Sequence, residues 1–303
     1  MDFAPDEELE LLHTSVGGVV GRFGHGYFIE QARDGRSATE LWRALAAHGF
    51  VGVNIPADHG GGGRGILELA VVEEECAAGG CPLLMLLVSP AICGSIIARY
   101  GSAEQQARWL PGLASGEEKM AFAITEPDAG SNSHRISTVA TRDGEGWRLR
   151  GTKYYISGVD DAARMLVVAR TGTDARTGRA QLSLFVVDTA AAGLTRQRIP
   201  VEVVSTERQF MLWFDDVAVG PDRLVGPEGD GLRPLFDGLN PERILSAALL
   251  IGIGRYALAK AAAYANERAV WGVPIGAHQG VAHPLAQAAV HVELARVMTM
   301  QAA

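Results

Sequence analysis

Three hydroxyl side chains surround a turn that could hold a polar ring or a phosphate. Residues 120–124 are small and apolar, as in a buried strand, and Thr125 is followed by the turn-forming sequence Glu-Pro-Asp-Ala-Gly. Ser131 and Ser133 come directly after that turn. A strand end with exposed backbone N–H groups and hydroxyls is suited to binding anionic or polar groups. The same residues also fit an ordinary surface turn, because turn-forming residues are common outside binding sites.

Three regions of different periodicity must position this turn. Residues 1–119 and 231–303 have apolar positions at helical spacing, whereas residues 120–230 alternate between apolar and polar. The alternating runs are short and regularly spaced, which predicts an antiparallel β-domain, either a barrel or a sandwich. The predicted strands are 120–125, 136–141, 146–150, 153–157, 165–170, 182–187, 195–204 and 208–214. The expected fold class is therefore a multidomain α+β chain with a helical domain on each side of the β-domain.

The sequence Asn240-Pro-Glu-Arg243 has the features of a helix start. Asn is a preferred N-cap, Pro is favoured at the first helical position, and an acid suits the first turn. An apolar helix to about residue 269 and a second helix at 284–302 then predict a helical bundle. Two helices leave apolar faces uncovered, so we expect either a longer natural chain or coverage by another subunit.

Charge and ligand-forming residues narrow the class of protein. Lys and Arg number 27 against 35 Asp and Glu, the formal net charge is −8, and there is no basic block, which argues against nucleic acid as a main partner. The carboxylates at 73–75 are interpreted as a solvated face of a helix predicted at 66–78. The 3 cysteines and the histidines show no metal-ligand spacing. We therefore expect no metal and a reducing, cytoplasmic compartment.

One uncharged stretch, residues 76–98, is long enough to cross a bilayer. Glycines and prolines interrupt it, so we predict two buried helical pieces and no membrane span. The acidic N-terminus has no apolar core and does not resemble a secretory signal.

Four motifs in order resemble those of the acyl-CoA dehydrogenase family over nearly the whole chain. Thr125-Glu-Pro-Asp-Ala-Gly-Ser131 resembles the family's Thr-Glu-Pro-x-Ala-Gly-Ser, and Gly151-Thr-Lys-Tyr-Tyr-Ile-Ser157 resembles its Gly-x-Lys-x-Trp-Ile-Thr. The later motifs are Phe214-Asp-Asp-Val217 with Leu224-Val-Gly226, and Arg268-Ala-Val-Trp-Gly272 followed by His278-Gln279. The resemblance implies the helical–β–helical fold of that family, with the last C-terminal helices lacking.

The resemblance also implies FAD as the cofactor. The residues that it assigns to FAD are Ala123, Thr125, Gly130, Ser131, Tyr155, Ser157, Arg268 and Gln279. Tyr155 stands where the family usually has Trp, and Ser157 where it usually has Thr, so an aromatic face and a hydroxyl are kept. Arg268 and Gln279 are expected to reach FAD bound mainly to a neighbouring subunit, which implies a dimer or tetramer.

The family's reaction needs a base that removes the proton α to a thioester carbonyl while the β-hydride passes to flavin N5. Most members carry this glutamate near the C-terminus, beyond Ala303, but a minority carry it at the position of Glu242. The resemblance therefore predicts Glu242 as the base, with Ser131, Asn240 and Arg243 contacting acyl-CoA. An apolar pocket would raise the pKa of such a carboxyl, whereas a helix N-terminus would lower it.

Three functions stay open from the sequence. The first is an FAD-dependent acyl-CoA dehydrogenase of fatty acid metabolism that passes electrons to an electron-transfer flavoprotein. The second is a shortened, weakly catalytic or non-catalytic subunit of a heteromer with a paralogue. The third is a related flavoprotein with an oxygenase or alkylation-response role.

Overall fold

The computed structural model describes residues 6–303, in which a helical region, a β-sheet region and a second helical region follow one another. This order confirms the fold class expected from the sequence. The helices are α1 (Glu7–Val20), α2 (Gly24–Arg33), α3 (Thr39–Ala47), α4 (Ile66–Ala78), α5 (Leu84–Leu86), α6 (Ser95–Tyr100), α7 (Ala103–Ser115), α8 (Leu232–Glu267) and α9 (Gln279–Ala302). A π-helical stretch at Leu87–Gly94, here called the π segment, joins α5 to α6.

Helix α4 is the centre of the N-terminal helical region, since α1 and α8 both pack against it. Helix α8 approaches closely at Gly252, where a Cβ atom would lie 2.3 Å from the carbonyl oxygen of Glu74. The prediction that residues 73–75 form a solvated face is wrong: Glu73 and Glu74 are fully buried. Because α1 and α8 cover α4, Glu73 and Glu74 are shielded from solvent, whereas Glu75 is partly exposed.

Glu74 and Glu75 are instead paired with basic side chains from both ends of the chain. Arg255 Nη1 lies 2.5 Å from the Oε1 atoms of both carboxylates, and Arg296 Nε lies 3.0 Å from Glu74 Oε1. His13 Nδ1 lies 2.8 Å from Glu75 Oε1. Burial alone would raise the pKa of Glu75, but the hydrogen bonds from His13 and Arg255 outweigh it and lower that pKa. These contacts fasten α8 and α9 to the N-terminal helices.

The β-sheet region contains one eight-stranded sheet, and a short separate hairpin lies between α8 and α9 in the chain. The large sheet has the order β6-β7-β3-β2-β4-β5-β8, and β1 pairs with β4. Its strands are β1 (Met120–Ala123), β2 (Val139–Asp143), β3 (Gly146–Ser157), β4 (Arg164–Thr173), β5 (Ala180–Asp188), β6 (Leu194–Ile199), β7 (Gln209–Val219) and β8 (Leu224–Val225). The hairpin is β9 (Ala269–Val270) with β10 (Val273–Pro274).

Two details of the sheet differ from the sequence prediction. The sheet is mixed rather than antiparallel, because β1 and β2 each pair with β4 in parallel. The hairpin of β2 and β3 lies between β1 and β4 in the chain, so β4 returns in the direction of β1. The runs predicted at 146–150 and 153–157 form the single strand β3, which is interrupted by register shifts against β7 instead of a turn.

The C-terminal region consists of two long helices, but the first does not begin where the sequence indicated. Helix α8 starts at Leu232, and Pro241 lies in its interior. The N-cap interpretation of Asn240 is therefore wrong. The apolar residues from Leu232 onward already have helical spacing, and Gly231 precedes them as the actual N-cap. Asn240 and Pro241 have the residue types of a helix start, but α8 continues through them.

Helix α8 is also the helix, among residues 6–303, that is long and apolar enough to cross a membrane, with a mean hydropathy of 1.5 in its most apolar window. That window is 22% buried within the chain. A single such helix is weak evidence, because core helices of soluble proteins have the same length and composition. The stretch at 76–98 contains the end of α4 and the buried helical run from Leu84 onward, as predicted.

Candidate active site

The end of β1 and the middle of β3 form one corner of the structure. The main-chain N–H of Tyr154 donates to the carbonyl of Thr125 at 2.8 Å. The register of β3 against β7 shifts between Lys153 and Ile156. Within that bulge Tyr155 has a φ of 56° and is 54% exposed. A left-handed backbone costs roughly 1–2 kcal/mol in a residue with a Cβ atom, and such strain is concentrated at functional sites.

A buried ion pair lies under this corner. Lys153 Nζ is 2.9 Å from Glu126 Oε1 and donates to the carbonyl of Ile124 at 2.9 Å. The exposed fractions of the two charged side chains are 0% and 3%. The carboxylate of Glu126 also accepts the main-chain N–H and the hydroxyl of Ser137, both at 2.6 Å, and the N–H of Thr138 at 3.0 Å. Every oxygen of the carboxylate is thus engaged.

The pKa values of Glu126 and Lys153 are both lowered, but for different reasons. Burial alone would raise the pKa of Glu126, but the charge of Lys153 and the hydrogen bonds from Ser137 and Thr138 outweigh it and lower the pKa to about 2. Burial lowers the pKa of Lys153 to about 8, although the Glu126 carboxylate partly opposes this. The pair is therefore ionic near neutral pH.

The loop at 130–133 presents polar groups to solvent. Gly130 and Ser131 are exposed, and a Cβ atom on Gly130 would meet no atom within 4 Å. Among residues 6–303, the backbone N–H groups of 130–133 and the hydroxyls of Thr125 and Ser131 make no hydrogen bond. The corner therefore carries free donors beside the exposed ring of Tyr155.

Ala123 and Ser157 lie on the same two strands as this corner. The side chain of Ala123 is fully buried, so that only its main chain could meet a ligand. Ser157 ends β3, and its hydroxyl donates to Gln209 Oε1 at 3.0 Å. Strands β1 and β3 are in contact. The structure thus brings Ala123, Thr125, Tyr155 and Ser157 together, with the loop of Gly130 and Ser131 following directly.

The π segment is in contact with both β1 and α8. On the β1 side, Ser89 Oγ accepts the main-chain N–H of Met120 at 3.0 Å. On the α8 side, Gly238 permits close packing, since a Cβ atom there would lie 3.2 Å from Ile92 Cγ2. Every residue of the π segment is buried, and most are apolar. π-Helical turns occur frequently at functional sites.

Glu242 lies one turn after Gly238 and so shares its face of α8. Its side chain is half-buried, and the hydroxyl of Ser246 donates to its Oε1 at 3.2 Å. Leu245, three residues on, is fully buried. Because α8 begins at Leu232, the charge effect expected from a helix N-terminus does not act on Glu242. A carboxylate thus borders the apolar contact between α8 and the π segment.

The remaining predicted residues are exposed. Asn240 and Arg243 flank Glu242, and Arg243 Nη1 donates to Asn240 Oδ1 at 2.8 Å. Arg268 and Gln279 lie near the hairpin of β9 and β10, where the N–H of Ile275 donates to the carbonyl of Arg268 at 2.8 Å. No hydrogen bond within the described part of the chain joins this segment to residues 120–157. Hydrogen bonds therefore do not connect Arg268 and Gln279 to the corner of β1 and β3.

Potential metal ligands cluster once among residues 6–303, at His13, Glu74 and Glu75. Arg255 and Arg296 already occupy these carboxylates. The three cysteines are free and buried, and burial raises the pKa of Cys81 to about 11.

Sequence reasoning missed the ion pair of Lys153 and Glu126. Glu126 was interpreted only as the start of a turn. A signal was present, because Lys153 is a cation in the strand sequence Gly-Thr-Lys-Tyr-Tyr-Ile-Ser, which otherwise has no charge. A long cation in such a strand is either exposed or paired, and the sequence does not show which.

Models of protein families match the chain in three parts. The acyl-CoA dehydrogenase N-terminal, middle and C-terminal domains match residues 6–117, 121–217 and 229–303.

Individual relatives agree with this result. Acyl-CoA dehydrogenase FadE12 of Mycobacterium tuberculosis is 51% identical over 99% of this chain and 77% of its own length. Glutaryl-CoA dehydrogenase of Desulfococcus multivorans is 33% identical over 100% of this chain and 79% of its own length.

Solved structures match equally broadly. A glutaryl-coenzyme A dehydrogenase in complex with glutaryl-CoA superposes with a TM-score of 0.94 at 33% identity, covering 100% of this chain and 77% of that one. A glutaryl-CoA dehydrogenase of Mycobacterium smegmatis in complex with FADH2 gives a TM-score of 0.89 at 26% identity, covering 98% and 75%. The chain belongs to the acyl-CoA dehydrogenase family.

Proposed function

We propose that this enzyme converts an acyl-CoA thioester to the α,β-enoyl-CoA with FAD as cofactor. One observation carries the proposal. An open polar corner at the end of β1 and the half-buried carboxylate of Glu242 on α8 flank the same apolar π segment. This reaction requires a hydride acceptor and a proton acceptor on two sides of the apolar acyl chain of the substrate.

The residues of the corner fit a flavin. The free N–H groups and hydroxyls at 125–133 match the polar pyrimidine edge and the phosphates, and the exposed ring of Tyr155 offers an aromatic face. FAD, when bound, supplies the acceptor for the β-hydride. The chain supplies position and charge, with Ala123, Thr125, Gly130, Ser131, Tyr155 and Ser157 as the proposed contacts.

Glu242 is the proposed base. Its carboxylate takes the α-proton of the thioester, and the hydroxyl of Ser246 orients Oε1. The apolar π segment excludes water from the acyl chain, which strengthens electrostatic effects on the α-carbon. The exposed Arg243, held by Asn240, is suited to a CoA phosphate, and Ser131 could contact the thioester side from the opposite wall.

The proposal extends to partners and place. Electrons would leave through an electron-transfer flavoprotein, and the acyl-CoA substrate would come from fatty acid metabolism in the cytoplasm. Arg268 and Gln279 are exposed and have no hydrogen bond to the corner within the described residues, which supports their action on FAD of a neighbouring subunit in a dimer or tetramer. We propose domains at 1–119, 120–230 and 231–303, and no metal, nucleic acid or membrane partner.

A direct test is anaerobic reduction of the purified, FAD-loaded chain by acyl-CoA substrates of graded length. The expected result is loss of flavin absorbance with one enoyl-CoA formed per flavin reduced. A chain that binds FAD but is not reduced without oxygen, by any acyl-CoA, would contradict the dehydrogenase function and favour an oxygenase or alkylation-response role.

A second candidate is a subunit that works only with a fuller paralogue. The exposed apolar side chains of α8 and α9 favour it, among them Leu250, Leu294 and Met298, which are 65%, 60% and 69% exposed. Purification of the chain alone discriminates the two: a stable, yellow protein supports the enzyme, and a colourless or aggregating one supports the subunit.

A further inference from the structure

We propose that Lys153 and Glu126 are a positioning pair for the flavin site, which hold Thr125 and its loop against the bulge of Tyr154 and Tyr155. The inference rests on the proposed function, because it assigns the pair to the site where FAD would bind. Neither side chain is placed to touch the cofactor or the substrate itself, since both are buried beneath the corner.

The hydrogen bonds of the pair connect the residues around Thr125 to strand β3. Lys153 Nζ bonds to the carbonyl of Ile124 and to the carboxylate of Glu126, the two neighbours of Thr125. The carbonyl of Thr125 itself accepts the N–H of Tyr154. Three consecutive residues at the end of β1 are thus bonded to two consecutive residues of β3. Thr125 cannot rotate without breaking at least one of these bonds.

Glu126 also holds the loop that follows Thr125. Glu126 closes it by accepting the N–H and hydroxyl of Ser137 and the N–H of Thr138. The residues between these anchors include the loop at 130–133, whose N–H groups are free. One carboxylate therefore fixes both ends of the segment that presents the donors. A loop with free donors binds a ligand more tightly when it is already ordered, because less entropy is lost on binding.

An ion pair, rather than two apolar side chains, occupies this buried position. Apolar residues of similar volume often stabilise a fold as well as a buried ion pair does, because desolvation offsets the attraction of the charges. The pair is therefore poorly explained by stability alone. Directional bonds, which apolar side chains cannot make, account for it better: they fix the orientation of the Thr125 carbonyl and hydroxyl.

The test compares four proteins: wild type, Lys153→Met, the double variant Lys153→Met with Glu126→Gln, and Arg150→Met. The double variant leaves no unpaired buried charge, and the amide oxygen of Gln keeps an acceptor at the Oε2 position, to which the N–H and hydroxyl of Ser137 both donate. Arg150→Met is the matched control, because Arg150 lies on the same strand in an exposed ion pair with Asp216. Each protein is measured for FAD dissociation constant, bound-flavin absorption spectrum, melting temperature and amide hydrogen exchange without FAD.

We expect the double variant to melt within a few degrees of wild type, to bind FAD at least tenfold more weakly and to show an altered flavin spectrum. Its hydrogen exchange should be faster at 124–135 and unchanged in the helices, and Arg150→Met should match wild type in every measurement. If Lys153→Met alone does not fold, the double variant still decides.

Wild-type FAD affinity, spectrum and exchange in a folded double variant would overturn the inference. A wild type that takes up no FAD would contradict the proposed function instead. In that case the hydrogen exchange at 124–135, measured without cofactor, still decides whether the pair orders the corner.

Discussion

The corner of β1 and β3 and the segment around Arg268 carry the two sets of residues assigned to FAD, and they differ in how they are built. At the corner, Lys153 and Glu126 are buried and every group that positions Thr125 is bonded within the chain. Around Arg268, the side chains are exposed, and Trp271 is 89% exposed. The first set is held by buried polar contacts, whereas the second lies on a mostly exposed segment whose contacts include α8.

A single chain therefore supplies one ordered part and one exposed part of the predicted FAD site. We call the corner of β1 and β3 the wall, and the segment from Arg268 to Gln279 the arm. The proposed base, Glu242, lies on α8, which packs against the same π segment as β1. Disturbing the wall should therefore affect catalysis or stability within one chain, whereas disturbing the arm should have effects that depend on protein concentration.

The largest effect is expected for Glu242→Gln, which removes the proposed base and keeps the shape of the side chain. General base catalysis contributes roughly 10²–10⁴-fold, so we expect the rate of flavin reduction by acyl-CoA to fall by about 10³-fold. Stopped-flow absorbance under anaerobic conditions measures this rate. FAD affinity should stay at the wild-type value, and a variant that keeps wild-type reduction rates would remove Glu242 from the mechanism.

Acid should weaken the wall through Glu126. Its folded pKa of about 2 lies below the ordinary value of 4.5, so the stability that it contributes is complete above about pH 4.5 and is lost as pH falls toward 2. The full shift corresponds to about 3 kcal/mol. Denaturant unfolding of wild type and Glu126→Gln between pH 7 and 3 checks this, since the variant should lack that part of the pH dependence. Parallel curves for the two proteins would contradict the assignment.

Arg268→Gln tests the arm. If Arg268 reaches FAD of a neighbouring subunit, its loss should weaken FAD binding by about tenfold, in the range of a charge-assisted hydrogen bond. The effect should appear only at protein concentrations where subunits associate. Glu267→Gln, at an exposed neighbouring position, serves as the control. Titration of FAD fluorescence at several protein concentrations makes the measurement, and an effect independent of concentration would argue for action within one chain.

The smallest effect is expected for Tyr155→Gly. Glycine relieves the left-handed strain at φ 56°, although its flexibility in the unfolded chain offsets part of the gain. We expect the unfolding free energy of the protein without FAD to rise by about 1 kcal/mol, while FAD binds more weakly because the aromatic face is lost. Denaturant unfolding and FAD titration together test this. A loss of stability on removing the ring would mean that Tyr155 serves the fold rather than the site.

The sequence predicted the order of the fold and the place of the wall, because strand alternation and turn residues are local signals. The turn after Thr125 and the strand through Tyr155 were both predicted from such patterns. Their mutual contact depends on a parallel pairing of β1 with β4 that no local pattern reports.

Local signals failed where distant parts of the chain decide the outcome. Asn240 and Pro241 have the chemistry of a helix start, yet the preceding turn of α8 is already helical and packs on the π segment. The acidic run at 73–75 resembled a solvated face, but α8 and α9 bring Arg255 and Arg296 to it across the length of the chain. Charge partners of this kind become visible only in the folded structure.

The most direct test of the account is exchange of the substrate α-proton with deuterated water. The FAD-loaded chain, a saturated acyl-CoA and D2O are incubated without oxygen, and deuterium at the α-carbon of the saturated thioester that is recovered is measured by mass spectrometry. The account predicts exchange by wild type and by Glu267→Gln, and its loss in Glu242→Gln. Exchange that survives in Glu242→Gln would contradict the central claim that Glu242 is the base.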